Sequence, residues 1–237
     1  MAWHELPMLG VDTETTDRNP LVARIVSMAQ VWDAGDGTEP NAKVRILKQQ
    51  GPIPAETTAI HGITDEQAAA EGVEPATALH NCALNLTFQW SMGLPVIAFN
   101  AVYDLTVLQC ELARYNLPTL TDRMPLSYWR VVDPFVIDKQ IRWGKGSRKL
   151  ADVSKLYGYD LADAHDPVAD TLAALWIARD QPNKEPKLNM PLPNLYRAQA
   201  GWKAAQAKSL EAYFRGVGNM EPVLRAWPIL TEAVPRA

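Results

Sequence analysis

Two carboxylates lie close together in the stretch GVDTETTD, residues 10 to 17, directly behind an apolar run. Side chains alternate along a strand, so Asp12 and Glu14 point to the same side and Thr13 points away. Two anions at a strand end repel each other unless a cation or hydrogen-bond donors compensate them. A divalent metal site is one chemistry that this pair could serve, and a solvated turn is the structural alternative.

Further acids stand where the same site could use them. Asp104 follows the apolar stretch PVIAF (95–99), which predicts a place in the first turn of the next helix. The helix dipole favours negative charge there, so a capping role is the alternative for Asp104.

The stretch HDPVADTLAALW contributes an acid and a histidine. Asp166 and Pro167 are typical of the N-cap and first position of a helix, which puts Asp170 in its first turn and His165 in the preceding loop. On a continuous helix these two side chains would diverge by about 140°. They can converge only because His165 lies outside the helix, and the pair then suits a metal ligand beside a mobile base.

The elements that must position these residues form an alternating pattern. Three strands open the chain, and helices and further short strands follow in the order βββαβαβαα, which predicts an α/β fold with a mixed sheet flanked by helices. The predicted strands are residues 7–12, 23–32, 42–47, 95–99 and the segment WRVVDP, and the later helices include 148–157 and 167–179.

Composition limits the class of protein. The chain has 237 residues, 47% of them hydrophobic, and a formal net charge of −4. It contains no apolar run of the roughly 18 residues that a membrane span needs and no signal-peptide pattern at its start, so a cytoplasmic location is the default expectation. Mild acidity argues against a generic nucleic-acid coat protein but not against a nuclease. We expect Cys82 and Cys110 to be buried thiols rather than a disulfide or metal site.

The composition also suggests three regions: a main domain over 1–180, a Pro-rich arm over 181–193 and a helical extension over 194–237. In the extension, Asn194 is a candidate N-cap. A stripe of apolar side chains predicts that the helix docks on the main domain, either as packing or to hold a substrate or partner. The stripe consists of Leu210, Tyr213, Phe214 and Val217.

The motifs taken together resemble those of the DEDDh family of 3′→5′ exonucleases, the DnaQ-like group that includes the proofreading epsilon subunit of DNA polymerase III, RNase T and oligoribonuclease. VDTET resembles the first motif, FNAVYD the second and HDPVAD the third, in the family's order. The stretch IHGIT, residues 60–64, resembles the family's loop between the first and second motifs. The stretch SRKLADVSKLYG resembles the family's helix before the third motif. The resemblance covers residues 7 to 180.

The resemblance implies a ribonuclease-H-like fold with a mixed five-stranded sheet, in agreement with the strand order. It also implies that two Mg²⁺ or Mn²⁺ ions are held by carboxylates, and that His165 is the general base. The implied ligands are Asp12, Glu14, Asp104 and Asp170.

The resemblance further implies residues that contact the substrate. Thr15 and Thr16 would approach the terminal nucleotide, and His61 and Ile63 would wall the base pocket with Asn100 nearby. Separately, the basic loop 141–149 is a candidate phosphate contact, with a solvated loop as the alternative. Its candidate residues are Arg142, Trp143, Lys145 and Arg148.

The expected partner is a nucleic acid with a free 3′ end, DNA favoured over RNA. An exoribonuclease of the oligoribonuclease or RNase T kind stays open, as does a catalytically silent binding module, which the intact set of acids disfavours. A polymerase or replication partner in proofreading or DNA repair is a further expectation. The chain contains no convincing sliding-clamp peptide of the Gln-Leu-x-Leu-Phe type, which puts attachment to a replicase in doubt.

Overall fold

A five-stranded mixed sheet forms the centre of the molecule, with the strand order β3-β2-β1-β4-β5. The computed structural model describes residues 2–143, 146–161, 166–220 and 223–230. β1 pairs antiparallel with β2 and β2 with β3, whereas β1, β4 and β5 run parallel. The predicted fold class is confirmed. The strands are β1 (Met8–Thr15), β2 (Ile25–Asp33), β3 (Asn41–Ile46), β4 (Val96–Ile97) and β5 (Val131–Val132).

Helices cover both faces of this sheet. They are α1 (Ala55–His61), α2 (Asp65–Glu71), α3 (Pro75–Ser91), α4 (Ala101–Arg114), α5 (Leu120–Arg123), α6 (Pro134–Ile141), α7 (Leu150–Leu156), α8 (Pro167–Lys184) and α9 (Leu192–Gly216). Leu9 and Val11 of β1 pack with α3 and α4 on one face, and Met8 packs with α8 on the other. This alternation sends Gly10, Asp12 and Glu14 toward α8.

Helices α1 and α6 were not predicted from the sequence. Asp133 and Pro134 carry the same start signal as Asp166 and Pro167, since the Asp133 side chain accepts hydrogen bonds from the N–H groups of Phe135 and Val136. This start signal was overlooked because Asp133 directly follows strand β5 and was read as part of the strand segment.

The C-terminal helix docks on the sheet edge, as predicted. Gln199 in α9 donates its amide N–H to the Val131 carbonyl at 3.0 Å and accepts the Asp133 N–H at 2.7 Å. The side-chain amide therefore satisfies backbone groups that the edge strand β5 would otherwise leave unpaired.

The predicted docking stripe is wrong. Leu210, Tyr213 and Val217 are 37%, 65% and 61% exposed, and docking instead uses the first half of the helix through Leu192 and Leu195. The helix also begins before Asn194, because Pro193 is tolerated in a first turn.

The connection between α8 and α9 differs from the predicted extended arm. α8 continues through Pro182 to Lys184, and a short 3₁₀ helix occupies Pro186–Leu188. Pro182 lacks the N–H that would donate to the Ala178 carbonyl, and α8 ends two residues later, at Lys184. The arm is thus largely helical, and the proposed domain boundaries stay a prediction.

Cys82 and Cys110 are buried free thiols, as expected. Within the described ranges, no helix combines the length and apolar character needed to cross a bilayer.

Candidate metal centre

Strand β1 and helix α8 bring three acids together. The N-cap of α8 is Asp166, whose carboxylate accepts the N–H groups of Val168 at 3.0 Å and Ala169 at 2.8 Å. This cap fixes the helix start, so Asp170 in the first turn faces β1. Asp12, Glu14 and Asp170 each offer one carboxylate oxygen, and these oxygens lie within 4.8 Å of one another.

The fourth predicted ligand, Asp104, lies beside this cluster but does not join it. Its Oδ1 accepts hydrogen bonds from the Thr13 hydroxyl at 2.7 Å and the Thr13 N–H at 3.1 Å. Thr13 points to the α4 side of β1, so it can reach Asp104 while its neighbours face α8. The side chain of Asp104 is thereby oriented toward the strand that carries Asp12 and Glu14.

A buried carboxylate determines where α4 starts. Asn100 adopts a left-handed conformation with φ 69°, and Asp133 accepts the N–H groups of Asn100 at 2.9 Å and Ala101 at 3.0 Å. The indole N–H of Trp227 donates to the same carboxylate at 3.1 Å. Asp133 therefore ties the C-terminal segment to the helix that carries Asp104.

The electrostatics of the cluster call for positive charge. Burial, then the charges of Asp104 and Glu14, raise the pKa of Asp12 well above its usual range. Burial, then the charge of Asp170, raises the pKa of Glu14 to about 8. Burial also raises the pKa of Asp104 to about 7, although the Thr13 hydrogen bonds oppose the shift.

The donor set fits a hard cation. In the described part of the chain, no lysine or arginine forms an ion pair with Asp12, Glu14 or Asp104. Clustered carboxylate oxygens without a basic partner are the ligands that Mg²⁺ and Mn²⁺ prefer. A divalent ion would supply the positive charge that balances the clustered carboxylates.

A cavity of about 680 Å³ opens beside Glu14. Thr15 and His61 line it, together with residues that the sequence did not single out. Those residues are Asp17, Arg18, Glu56, Thr57, Ile60 and Tyr103. Tyr103 directly precedes Asp104, so its place in the first turn of α4 was the available signal.

The β1–β2 loop holds its threonines through internal hydrogen bonds. The Thr15 hydroxyl bonds with the Tyr103 hydroxyl and with the Asp17 carbonyl, and the Thr16 hydroxyl accepts the Arg24 N–H at 2.9 Å. Arg24 in turn pairs with the buried Glu111 at 2.6 Å. Contact of Thr15 and Thr16 with a nucleotide stays a prediction, and the structure adds their role in fixing the loop.

The predicted base-pocket residues separate. His61 ends α1 and accepts the Ile63 N–H at its Nδ1, 3.1 Å away. Ile63, which was predicted to line the base pocket, packs instead in a small core with Val26 and Ile53. The isoleucine that lines the cavity beside Glu14 is Ile60, which is 43% exposed.

Two arginines of the basic loop are engaged within the protein. Arg142 forms two hydrogen bonds with the buried Asp138, at 2.8 and 2.7 Å, and Arg148 lies 3.3 Å from the same carboxylate. Both arginines therefore pair with Asp138, and their contact with a phosphate stays a prediction. Trp143 is 48% exposed, and its stacking role stays a prediction. His165 and Lys145 lie outside the described residues.

A methyl group at Gly10 is expected to push α8 away from β1. A Cβ there would lie 2.4 Å from Cγ2 of Thr171, whose hydroxyl is tied to the Pro167 carbonyl at 2.6 Å. Gly10→Ala should lower the free energy of unfolding by about 1–3 kcal/mol. It should also weaken Mn²⁺ binding about 10-fold or more, because Asp170 adjoins Thr171.

Urea unfolding and Mn²⁺ titration measure the two effects of Gly10→Ala. Gly201→Ala in α9 is the matched control, since nothing lies within 4 Å of a Cβ at that position. An unchanged Mn²⁺ affinity in Gly10→Ala would show that α8 does not set the ligand geometry.

Comparisons with known proteins agree with this geometry. No protein-family model matches the chain. A stretch of 115 residues is 31% identical to the uncharacterized exonuclease CP81 of Escherichia phage 186 and covers 48% of this chain and 54% of that relative. The chain thus spans about half the length of that relative.

Solved exonuclease I structures share the fold. The zinc-bound form of the E. coli exonuclease I–ssDNA complex matches 78% of this chain and 42% of its own, with a TM-score of 0.63 and 19% identity. Exonuclease I from Methylocaldum szegediense matches with a TM-score of 0.62 and 21% identity over the same shares. The chain therefore has the fold of exonuclease I, as the resemblance to the DnaQ-like group implied, and is similar in sequence to a phage exonuclease.

Proposed function

We propose that the chain is a metal-dependent 3′→5′ exonuclease that releases nucleoside 5′-monophosphates from DNA, with single-stranded ends favoured. The observation that carries the proposal is the cluster of Asp12, Glu14 and Asp170, whose oxygens lie within 4.8 Å. Residues from distant parts of the chain converge there beside a cavity large enough for a nucleoside. The name of the phage relative and the ssDNA in the exonuclease I complex support the same class of substrate.

The acids would hold two Mg²⁺ or Mn²⁺ ions, whose charge balances four carboxylates. When bound, such ions supply a more acidic attacking water and electrostatic stabilisation of the leaving 3′-oxygen. Thr13 holds Oδ1 of Asp104 through two hydrogen bonds. Thr13 would therefore be a positioning residue that presents Oδ2 of Asp104 to a cation.

His165 would take the proton from the attacking water. A histidine has an ordinary pKa of about 6.5, so its neutral form is available at neutral pH. It directly precedes the helix cap Asp166 in the sequence. The water attacks phosphorus as the P–O3′ bond breaks, and the departing 3′-oxygen takes up a proton.

The cavity beside Glu14 would receive the 3′-terminal nucleoside. Ile60 offers an apolar wall for the base, and the Tyr103 hydroxyl, hydrogen-bonded to Thr15 and to the Asp17 carbonyl, would set the depth of the sugar pocket. Discrimination between DNA and RNA would arise here, because the ribose 2′-OH needs space and a partner.

A ladder assay tests the proposal. 5′-labelled single-stranded DNA, duplex DNA and RNA are incubated with Mg²⁺, Mn²⁺ or EDTA, using wild type, Asp12→Ala and His165→Ala. We expect stepwise shortening of DNA from the 3′ end, abolished by EDTA and by Asp12→Ala and slowed about 10²–10⁴-fold by His165→Ala. Undiminished degradation by Asp12→Ala would refute the mechanism. Shortening of RNA only would make the chain an exoribonuclease.

A further inference from the structure

We propose that Lys139 and Lys203, which flank the Phe135 ring, form a phosphate subsite for the DNA strand on the 5′ side of the cleaved bond. The proposal rests on the nuclease function proposed above and adds a binding site that is separate from the acidic cluster. It also gives the C-terminal helix a role in substrate binding.

The subsite is built from two helices. Phe135 and Lys139 lie one turn apart in α6, and the Lys139 Nζ is 5.3 Å from the Phe135 ring centroid. Lys203 comes from α9, and its Nζ is 5.9 Å from the same centroid. Both ammonium groups therefore lie within 6 Å of one ring centroid.

The two lysines differ from the arginines nearby in having no carboxylate within ion-pair distance among the described residues. Arg142 and Arg148 both pair with Asp138. The charge of Asp133 acts on both lysines, but its carboxylate accepts hydrogen bonds from N–H donors elsewhere in the protein. These donors belong to Asn100, Ala101, Phe135, Val136 and Trp227.

Both ammonium groups are partly buried and repel each other. Burial, then the charges of Lys203 and Arg148, lower the pKa of Lys139. Burial also lowers the pKa of Lys203, against the opposing attraction of Asp133. An anion placed between the lysines would relieve this repulsion, and phosphate is the anion that a nucleic acid offers.

The lysines lie at the same end of the parallel strands as the acids. In the parallel strands, Gly10 pairs with Ile97 and Ile97 with Val132, so the carboxyl ends of all three strands lie on the same side of the sheet. Two strand spacings, about 10 Å, separate β1 from β5. The ring of Phe99, which follows β4, packs edge-to-face on Phe135 at 5.5 Å.

The strand order also gives the direction of the DNA. The cavity for the 3′-terminal nucleoside adjoins the β1–β2 loop and α1, on one side of the acidic cluster. The lysines lie on the other side, next to β5. A strand whose 3′ end enters the cavity would therefore cross the acids and continue over β4 toward Lys139 and Lys203.

A binding experiment in EDTA separates this subsite from catalysis. The affinity for a fluorescein-labelled oligothymidylate is measured across a salt series for wild type, the double variant Lys139→Gln/Lys203→Gln and the double variant Lys139→Arg/Lys203→Arg. We expect the glutamine variant to bind about 10-fold more weakly and its salt slope to fall by about 1, because both lysines contact the same phosphate. The arginine variant should retain the slope.

Kinetics with Mg²⁺ complete the test. The glutamine variant should raise KM for a long oligothymidylate about 10-fold at unchanged kcat. A thymidine dinucleotide, which is too short to reach the lysines, should be cleaved equally well by both proteins. Lys43→Gln, an exposed position on β3 at the opposite sheet edge, is the matched control.

An unchanged salt slope in the glutamine variant would overturn the subsite, as would equal damage to cleavage of the dinucleotide. If wild type cleaves neither substrate, the proposed function fails. If wild type cleaves both and the glutamine variant behaves identically, only the subsite fails.

Discussion

Replacing Asp12 with asparagine is expected to lower kcat for DNA by at least about 10³-fold, roughly 4 kcal/mol of transition-state stabilisation. Asparagine keeps the shape of the side chain but removes the charge that a cation needs. Asp12 is the centre of the arrangement, because the charges of Asp104, Glu14 and Asp170 all act on it. Single-turnover cleavage of labelled DNA at saturating Mg²⁺ measures the effect.

Asp36→Asn is the control for the loss of one negative charge. Asp36 is exposed in the turn between β2 and β3, where its carboxylate bonds only locally, to Thr38. This variant should cleave DNA at the wild-type rate. A loss of less than about 10-fold in Asp12→Asn would mean that the acidic cluster is not the catalytic centre.

Stability of the metal-free protein is expected to fall as pH rises from 4.5 to about 8, the ordinary and the raised pKa of Glu14. In this window the folded protein retains a proton that the unfolded chain has released. The folded state binds more protons, so the free energy of unfolding decreases with rising pH. Asp12 contributes in the same direction, since its pKa is raised too.

Glu14→Gln should therefore stabilise the metal-free protein at pH 8 by about 1–3 kcal/mol, a value reduced for partial solvent exposure. Mg²⁺ should reverse the order of stability, so that wild type becomes more stable than Glu14→Gln. At a concentration of about 100 times its Kd the ion stabilises wild type by about 2.7 kcal/mol, whereas the variant has lost a ligand. Thermal unfolding with EDTA and with Mg²⁺ measures both effects. A variant less stable than wild type in EDTA at pH 8 would contradict the raised pKa.

The acids and the fold could be predicted because their signals are local. Short apolar runs define β1 and β2, and the Asp166–Pro167 pair fixes the start of α8. The order of the motifs then implies a sheet that brings Asp12 and Asp170 together. Gly10 completes this arrangement by letting α8 approach β1, but its role depends on Thr171, far away in the chain.

The fate of the basic loop could not be read from its composition. Arg142 and Asp138 stand at helical i,i+4 spacing, which indicates an ion pair. The burial of Asp138, however, arises from tertiary packing, and it is burial that commits both Arg142 and Arg148 to one carboxylate. Lys139 and Lys203 are brought together only by the docking of α9 on α6.

Long-range hydrogen bonds explain the remaining differences. Trp227 reaches Asp133, and the Leu230 N–H donates to the Thr106 hydroxyl at 3.0 Å, so the C-terminal segment packs against α4. The periodicity of the sequence does not predict contacts between residues this far apart. The exposed end of α9 was mistaken for its docking face because both ends of the helix carry apolar residues.

The most direct measurement of the central claim is anomalous scattering from a crystal grown with Mn²⁺ and a short oligothymidylate. The account predicts manganese bound by Asp12, Glu14 and Asp170, with the 3′-terminal nucleoside in the cavity beside Tyr103. Manganese bound only elsewhere, with these three carboxylates free of metal at saturating Mn²⁺, would contradict it.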